Sequence, residues 1–137
     1  MTILEHILQW AEKNSLFVQK SEVDIIFQSD GDAGSWLSRV RAIEEDGMIF
    51  ILSAYPFQVA PENRAEAALF LGELNSNIKL GCFYLDPDDG QINFRLGQFL
   101  WPMEYEETAQ RVENMIMLAM SVMNSYYRKM MALAAEE

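Results

Sequence analysis

Residues 22–55, "EVDIIFQSDGDAGSWLSRVRAIEEDGMIFILSAY", decide the fold. Residues 22–28 are rich in β-branched and aromatic side chains, and "SDGDAGS" carries turn chemistry. "WLSRVRAI" follows, then the second turn "EEDG", then "MIFILSAY". Three strands joined by two hairpins is the simplest reading. Folding the first hairpin about Asp32 pairs Phe27 with Trp36 and Val23 with Val40 on one face. The other face then sets Asp24 against Arg39 and Glu22 against Arg41, opposite charges directly across. In the third strand Ile49 and Ile51 join the Trp36 side, while Met48, Phe50 and Leu52 point the other way. A strand apolar on both sides expects cover on both. One cover is a helix, and the second is still to be found.

Helices flank this meander. In "TILEHILQWAEKN", Thr2 and Glu5 have capping-box spacing, and Ile3, Leu4, Ile7, Leu8, Trp10 and Ala11 recur at helical intervals up to a stop at Asn14. Pro61 and Glu62 open a second helix, in which Ala65, Ala68, Leu69, Leu71, Gly72 and Leu74 supply apolar positions before Asn75-Ser76-Asn77 ends it. "KLGCFYLD" and "QINFRLG" flank the turn "PDDG". That hairpin pairs Leu85 with Ile92 and Phe83 with Phe94, and puts Cys82, Tyr84, Asn93 and Arg95 on the opposite face. Pro102 stands near the start of a long last helix, and Glu104, Glu106 and Glu107 suit the positive end of its dipole. The order α-β-β-β-α-β-β-α predicts an α+β fold, an antiparallel sheet with helices, in one domain over 1–137.

The last helix is the richest in methionine. "VENMIMLAMSVMNSYYRKMMALAA", residues 112–135, holds six of the chain's nine. On a helical wheel Val112, Ile116, Ala119, Met123 and Met130 form a core stripe. Met115, Val122 and Leu133 lie on one shoulder; Met117, Met120, Tyr127 and Met131 lie on the other. Only Asn114, Ser121, Ser125 and Arg128 make a polar strip. A surface helix buries one stripe, so the surplus predicts a second contact.

Composition narrows the function classes. Net charge is −11, and the ten basic residues form no stripe, which argues against nucleic acid and anionic membrane as partners. No apolar run spans a bilayer, "MTILEHILQWAEK" lacks the basic start of a signal peptide, and one cysteine forms no internal disulfide. The chain reads as cytoplasmic.

Catalytic and metal chemistry find no foothold. There is no CxxC or HExxH, and His6 is the lone imidazole, placed on the polar shoulder of the first helix. "DGDAGS" and "DPDDGQ" start like calcium loops, yet Arg41 and Gly97 occupy the positions where the bidentate Glu belongs. Cys82 lies mid-strand without a base, and no nucleophile elbow or phosphate loop occurs. No cofactor, metal or catalytic residue is expected.

Trp36 opening a strand, the run "APENRAEAALFLGELNSNIKLGCFYLDPDDGQINFRLG" at 60–97 and the final helix together resemble the YbjN family. These bacterial proteins are labelled sensory-transduction regulators and share the fold of type III secretion chaperones. The resemblance covers about residues 16–130. It implies a chaperone-like fold and a tendency to homodimerise. Secretion chaperones of this fold bind extended client segments, whereas the YbjN-type relatives have no agreed ligand. The expectation is a non-enzymatic, chaperone-like or regulatory protein-binding module, acting as a homodimer with a possible client or regulatory protein. The candidate interface residues are Met48, Phe50, Leu52, Met115, Met117, Met120 and Met131. A small-molecule sensor domain, or a purely structural scaffold, is the alternative.

Overall fold

The computed structural model describes residues 2–100 and 105–135. The expectations for Pro102 and Glu104, and for the side chain of Glu106, lie outside the described residues.

Helix α1 (Ile3–Lys13) begins with the predicted capping box. The Thr2 hydroxyl accepts from the Glu5 N–H at 3.1 Å, and the Glu5 carboxylate accepts from the Thr2 N–H at 3.0 Å. The next two orphan donors are met from far along the chain. The Glu44 carboxylate accepts from the Ile3 and Leu4 N–H groups at 2.9 and 3.1 Å. The helix stops at Asn14, whose side chain donates to the Trp10 carbonyl at 2.8 Å.

Strands β1 (Gln19–Lys20), β2 (Asp24–Asp30), β3 (Ser35–Ile43) and β4 (Met48–Gln58) follow. Helix α2 (Arg64–Asn75), strands β5 (Cys82–Leu85) and β6 (Gln91–Phe99), and helix α3 (Tyr105–Ala135) complete the chain. The sheet runs β1-β2-β3-β4-β6-β5, antiparallel throughout. The class is α+β, as expected. β1 is an addition: two residues paired with Ile25 and Ile26 carry no periodicity that a sequence could display.

The second hairpin has the predicted register, Phe83 opposite Phe94 and Leu85 opposite Ile92. The first does not. Trp36 faces Ser29 rather than Phe27, Val40 faces Ile25 rather than Val23, and Asp24 faces Arg41 rather than Arg39. The cause is the turn. Gly31 N–H donates to the Gly34 carbonyl at 2.8 Å, so the strands stay paired up to Asp30 and Ser35. A Cβ on Gly34 would overlap the Tyr127 hydroxyl, and one on Gly31 the Asn124 amide oxygen, so α3 fixes the turn. A slip of two residues leaves the side chains within β2 and β3 on their expected faces, while Val23 falls outside β2 and is exposed.

One face of the sheet carries the core. Ile25, Val40, Ile51 and Leu96 form one cross-strand row. Phe27, Ser38, Ser53, Phe94 and Phe83 form the next. All nine are buried beneath α1 and α3. The predicted α3 stripe of Val112, Ile116, Ala119, Met123 and Met130 is fully buried against them. Polar groups in this layer pair among themselves. Ser29, Ser38 and Ser53 link hydroxyls at 3.2 and 3.3 Å, and the Tyr55 hydroxyl donates to the Met123 carbonyl at 2.8 Å. Burial pushes the Tyr55 phenol far above its ordinary value, so it stays protonated and keeps that bond.

Two expectations are corrected here. His6 is not on a solvated shoulder; it is 7% exposed. In α2 the buried residues are Ala67 and Leu71, while Ala65, Ala68, Leu69 and Gly72 face outward. Both sets have helical spacing, and contact with β5 chooses between them. The end of α2 also finishes the sheet. The Asn75 amide accepts from the Phe83 N–H at 2.7 Å and donates to the Phe83 carbonyl at 2.8 Å.

Pro56 falls where the β4–β6 register shifts between Ala54 and Gln58. It has no N–H to offer a ladder, and the bulge removes the need for one.

Candidate interaction face

Among the described residues no helix packs on the other face of the sheet. Burial alternates along β3 and β4, and α1 and α3 lie on the core side. The outward residues line up in rows. Ile26, Arg39, Leu52, Arg95 and Cys82 form one. Asp24, Arg41, Phe50 and Gly97 form the next. Gln28, Leu37, Ala54, Asn93 and Tyr84 form a third on the opposite side of the first. Met48 sits between Ile43 and Phe99.

Phe50 is the fixed point of this surface. A Cβ on Gly97 would come within 2.5 Å of its ring, so the ring lies across the backbone of β6 where only glycine leaves room. The Arg95 guanidinium stands 4.6 Å from the centre of that ring. Asp24 anchors the other two arginines. Its carboxylate accepts from Arg41 at 3.0 Å and lies 3.7 Å from Arg39. Burial pushes this carboxyl upward, but hydrogen bonds from Ser21 and Arg41 and the two guanidinium charges outweigh it. The group is held below its ordinary carboxylate value. Burial raises the Tyr84 phenol against the pull of Arg95, so Tyr84 stays neutral.

Between the rows runs a groove of about 370 Å³ over Ile26, Leu37, Leu52, Ala54 and Tyr84, with Arg39, Asp86 and Asn93 at its rim. Leu37 is 56% exposed and Phe99 65%. These are large apolar groups left in water.

The structure brings Met48, Phe50 and Leu52 together on this face, each half-buried by its neighbours. The methionines of α3 lie on the opposite side of the molecule. Met117 and Met131 are exposed and Met120 is half-buried. Met115 does not belong with them: at 2% exposure it is part of the core, because the helix is covered over a wider arc than one stripe. Sequence alternation already turns Arg39, Arg41, Tyr84 and Arg95 away from the core, but they and Leu37 are not among the interface candidates, because their adjacency to Phe50 and Leu52 exists only once the strand register is set. The alternation of "WLSRVR" against "FILSA" is the signal that would have found them.

Among the described residues no group of three or more His, Cys, Asp or Glu side chains could hold a metal ion. The carboxylates of the two calcium-like turns are turned onto nearby groups. Asp86 and Asp89 accept from the N–H groups of Asp88 and Gln91, and Asp32 accepts from Asn124. No described helix is long and apolar enough to cross a membrane.

The model of the YbjN family, "Putative bacterial sensory transduction regulator", matches residues 4–131. No curated protein matches the chain in sequence. Solved structures share its fold. The crystal structure of YbjN from E. coli superposes with a TM-score of 0.61 at 16% identity, covering 90% of this chain and 93% of that one. ExsC–ExsE gives 0.63 at 12% identity, with 100% and 98% covered. The HopA1–SchA chaperone–effector complex gives 0.53 at 7% identity, with 90% and 94% covered. At such identities the likeness is one of fold.

Proposed function

The chain belongs to the YbjN family, and from that premise we propose that it is a non-enzymatic protein-binding module, chaperone-like or regulatory, that acts as a homodimer. The observation that carries this reading is the bare sheet face. A sheet in water with Leu37, Phe99 and the Phe50–Arg95 stack on its outer side holds apolar surface suited to a macromolecular partner. Protein complexes among the solved neighbours of this fold support it. The homodimer rests on Met117 and Met131, which stand out of the polar strip of α3, with Met120 beside them. Cys82 is a free, exposed thiol, which suits a reducing cytoplasm.

The test is a photo-crosslinking residue placed in living cells at Leu37, on the bare face, or at Glu66, on the exposed side of α2. Protein adducts concentrated at Leu37 are expected. Equal or absent adducts at the two positions would overturn the reading. Light scattering on the pure protein tests the homodimer, and Met117→Lys with Met131→Lys is expected to give monomers.

A further inference from the structure

We propose that the cavity between α1 and α3 binds a small zwitterion with an apolar body, the size of a large amino acid or a dipeptide. The cavity lies on the helical side of the sheet, away from the bare face, and does not depend on the protein-binding reading.

Two helical stripes face each other across it. His6, Gln9, Trp10 and Lys13 follow one another at helical intervals along one side of α1. Ala109, Gln110 and Glu113 share one side of α3. The neighbouring stripes, with Ile7, Ala11, Val112 and Ile116, are buried in the core. On this side about 590 Å³ stays open, within the range of small-molecule sites. The short methyl group of Ala109 leaves the room that a longer side chain would take.

The deepest part of the lining is uncharged. His6 is 7% exposed, and burial holds its imidazole below its ordinary value against the pull of Glu5 and Glu44, so the ring is neutral at pH 7. Trp10 is half-buried, with its ring centre 5.7 Å from that of Phe27. The indole also borders the cavity, where it offers a wide contact to an apolar body.

Opposite charges stand on the two walls. Glu113 on α3 is half-buried, and Lys13 on α1 is exposed. They line one cavity without pairing, for both ion pairs among the described residues belong to Asp24. A molecule that carries both charges matches them, its ammonium to Glu113 and its carboxylate to Lys13. Gln110 donates its amide to Asn114 at 2.9 Å, which leaves its oxygen as an acceptor for the ammonium. Glu12, exposed at the mouth, adds a second carboxylate, so the ammonium is the better-held end.

Simpler ligands fit less well. A plain anion meets Lys13 against both Glu12 and Glu113, and a plain amine shares Glu113 with Lys13. A metal ion finds no group of three ligands among the described residues.

The test is isothermal titration calorimetry of the whole chain at pH 7. The probes are phenylalanine, glycyl-phenylalanine, phenethylamine and 3-phenylpropionate. At least one zwitterion is expected to bind at least fivefold more tightly than both the amine and the acid. Glu113→Gln should weaken the zwitterion and the amine, and Lys13→Gln should weaken the zwitterion and the acid, by at least fivefold each. Ala109→Phe fills the cavity and abolishes binding, while Glu66→Gln on α2 changes nothing. Amide chemical shifts should move in residues 6–13 and 109–113. Thermal melting shows that each variant is folded; should Ala109→Phe fail to fold, the two charge variants decide. The proposal is overturned by an amine or acid within fivefold of the better zwitterion, by affinity that neither charge variant changes, or by no binding of any probe. Cross-linking at Leu37 is a separate measurement, so the protein-binding reading stands or falls without this one.

Discussion

Asn124 of α3 and Asp32 of the β2–β3 turn hold each other at both ends of the carboxamide. Its oxygen accepts from the Asp32 N–H at 2.8 Å, and its nitrogen donates to the Asp32 carboxylate at 3.1 Å. One residue pair therefore ties the tip of a hairpin to a helix more than ninety positions away. Asn124→Ala is expected to cost about 1–2 kcal/mol in urea unfolding, the worth of two such bonds. Gly34→Ala is expected to cost at least as much, because its Cβ meets Tyr127. Unchanged midpoints for both would show that the turn does not need α3.

Glu44 serves α1 from the turn after β3, accepting from Ile3 and Leu4 N–H groups. Glu44→Ala is expected to cost about 1 kcal/mol, the usual loss on removing an N-terminal cap. Hydrogen exchange should accelerate in residues 3–13 and stay unchanged in β4. Uniform acceleration along the chain would mean that the cap acts on the whole fold.

The Asp24 carboxyl is held below its ordinary value of 3.8 in the folded chain. A lowered carboxylate value adds stability above the unfolded value, and that stability drains away as pH falls through the folded value. Asp24→Asn should therefore be less stable than the parent at pH 7, and the gap should close as the pH drops below 3.8. Urea midpoints measured from pH 7 downward check this. A gap of constant size would place the effect in packing rather than charge.

Trp36 is 3% exposed, and its indole nitrogen has no hydrogen-bond partner among the described residues. A buried donor without a partner costs about 1–3 kcal/mol. Trp36→Phe removes that donor along with part of the ring, so the two effects oppose, and a change within about 1 kcal/mol is expected. Trp36→Ala should cost about 3–5 kcal/mol. A Phe variant as unstable as the Ala variant would show that the indole is bound.

Local features were legible in the sequence because their causes are local. The Thr2–Glu5 box, the stop at Asn14, the register across the "PDDG" turn and the α3 stripe each depend on residues close in the chain. The features that escaped depend on partners far away. The first hairpin slipped by two because Asn124 and Tyr127 position its turn. α2 offered two apolar sides, and only β5 distinguishes Leu71 from Leu69. The interaction face was half visible: Met48, Phe50 and Leu52 were set apart by alternation on one strand. Their arginine neighbours needed three strands in register before they became neighbours at all.

The pair formed by Asn75 and Phe83 gives the sheet a finished end. An amide side chain takes the place that a further strand would hold on β5. At the opposite end, β1 pairs only with Ile25 and Ile26, and on that outer side β2 runs on to Asp30 with no further strand among the described residues. The molecule thus has a direction across its strands, with a sealed margin and an unsealed one. Main-chain pairing at Phe83 is closed by Asn75, whereas the outer edge of β2 from Phe27 to Asp30 meets no strand among the described residues.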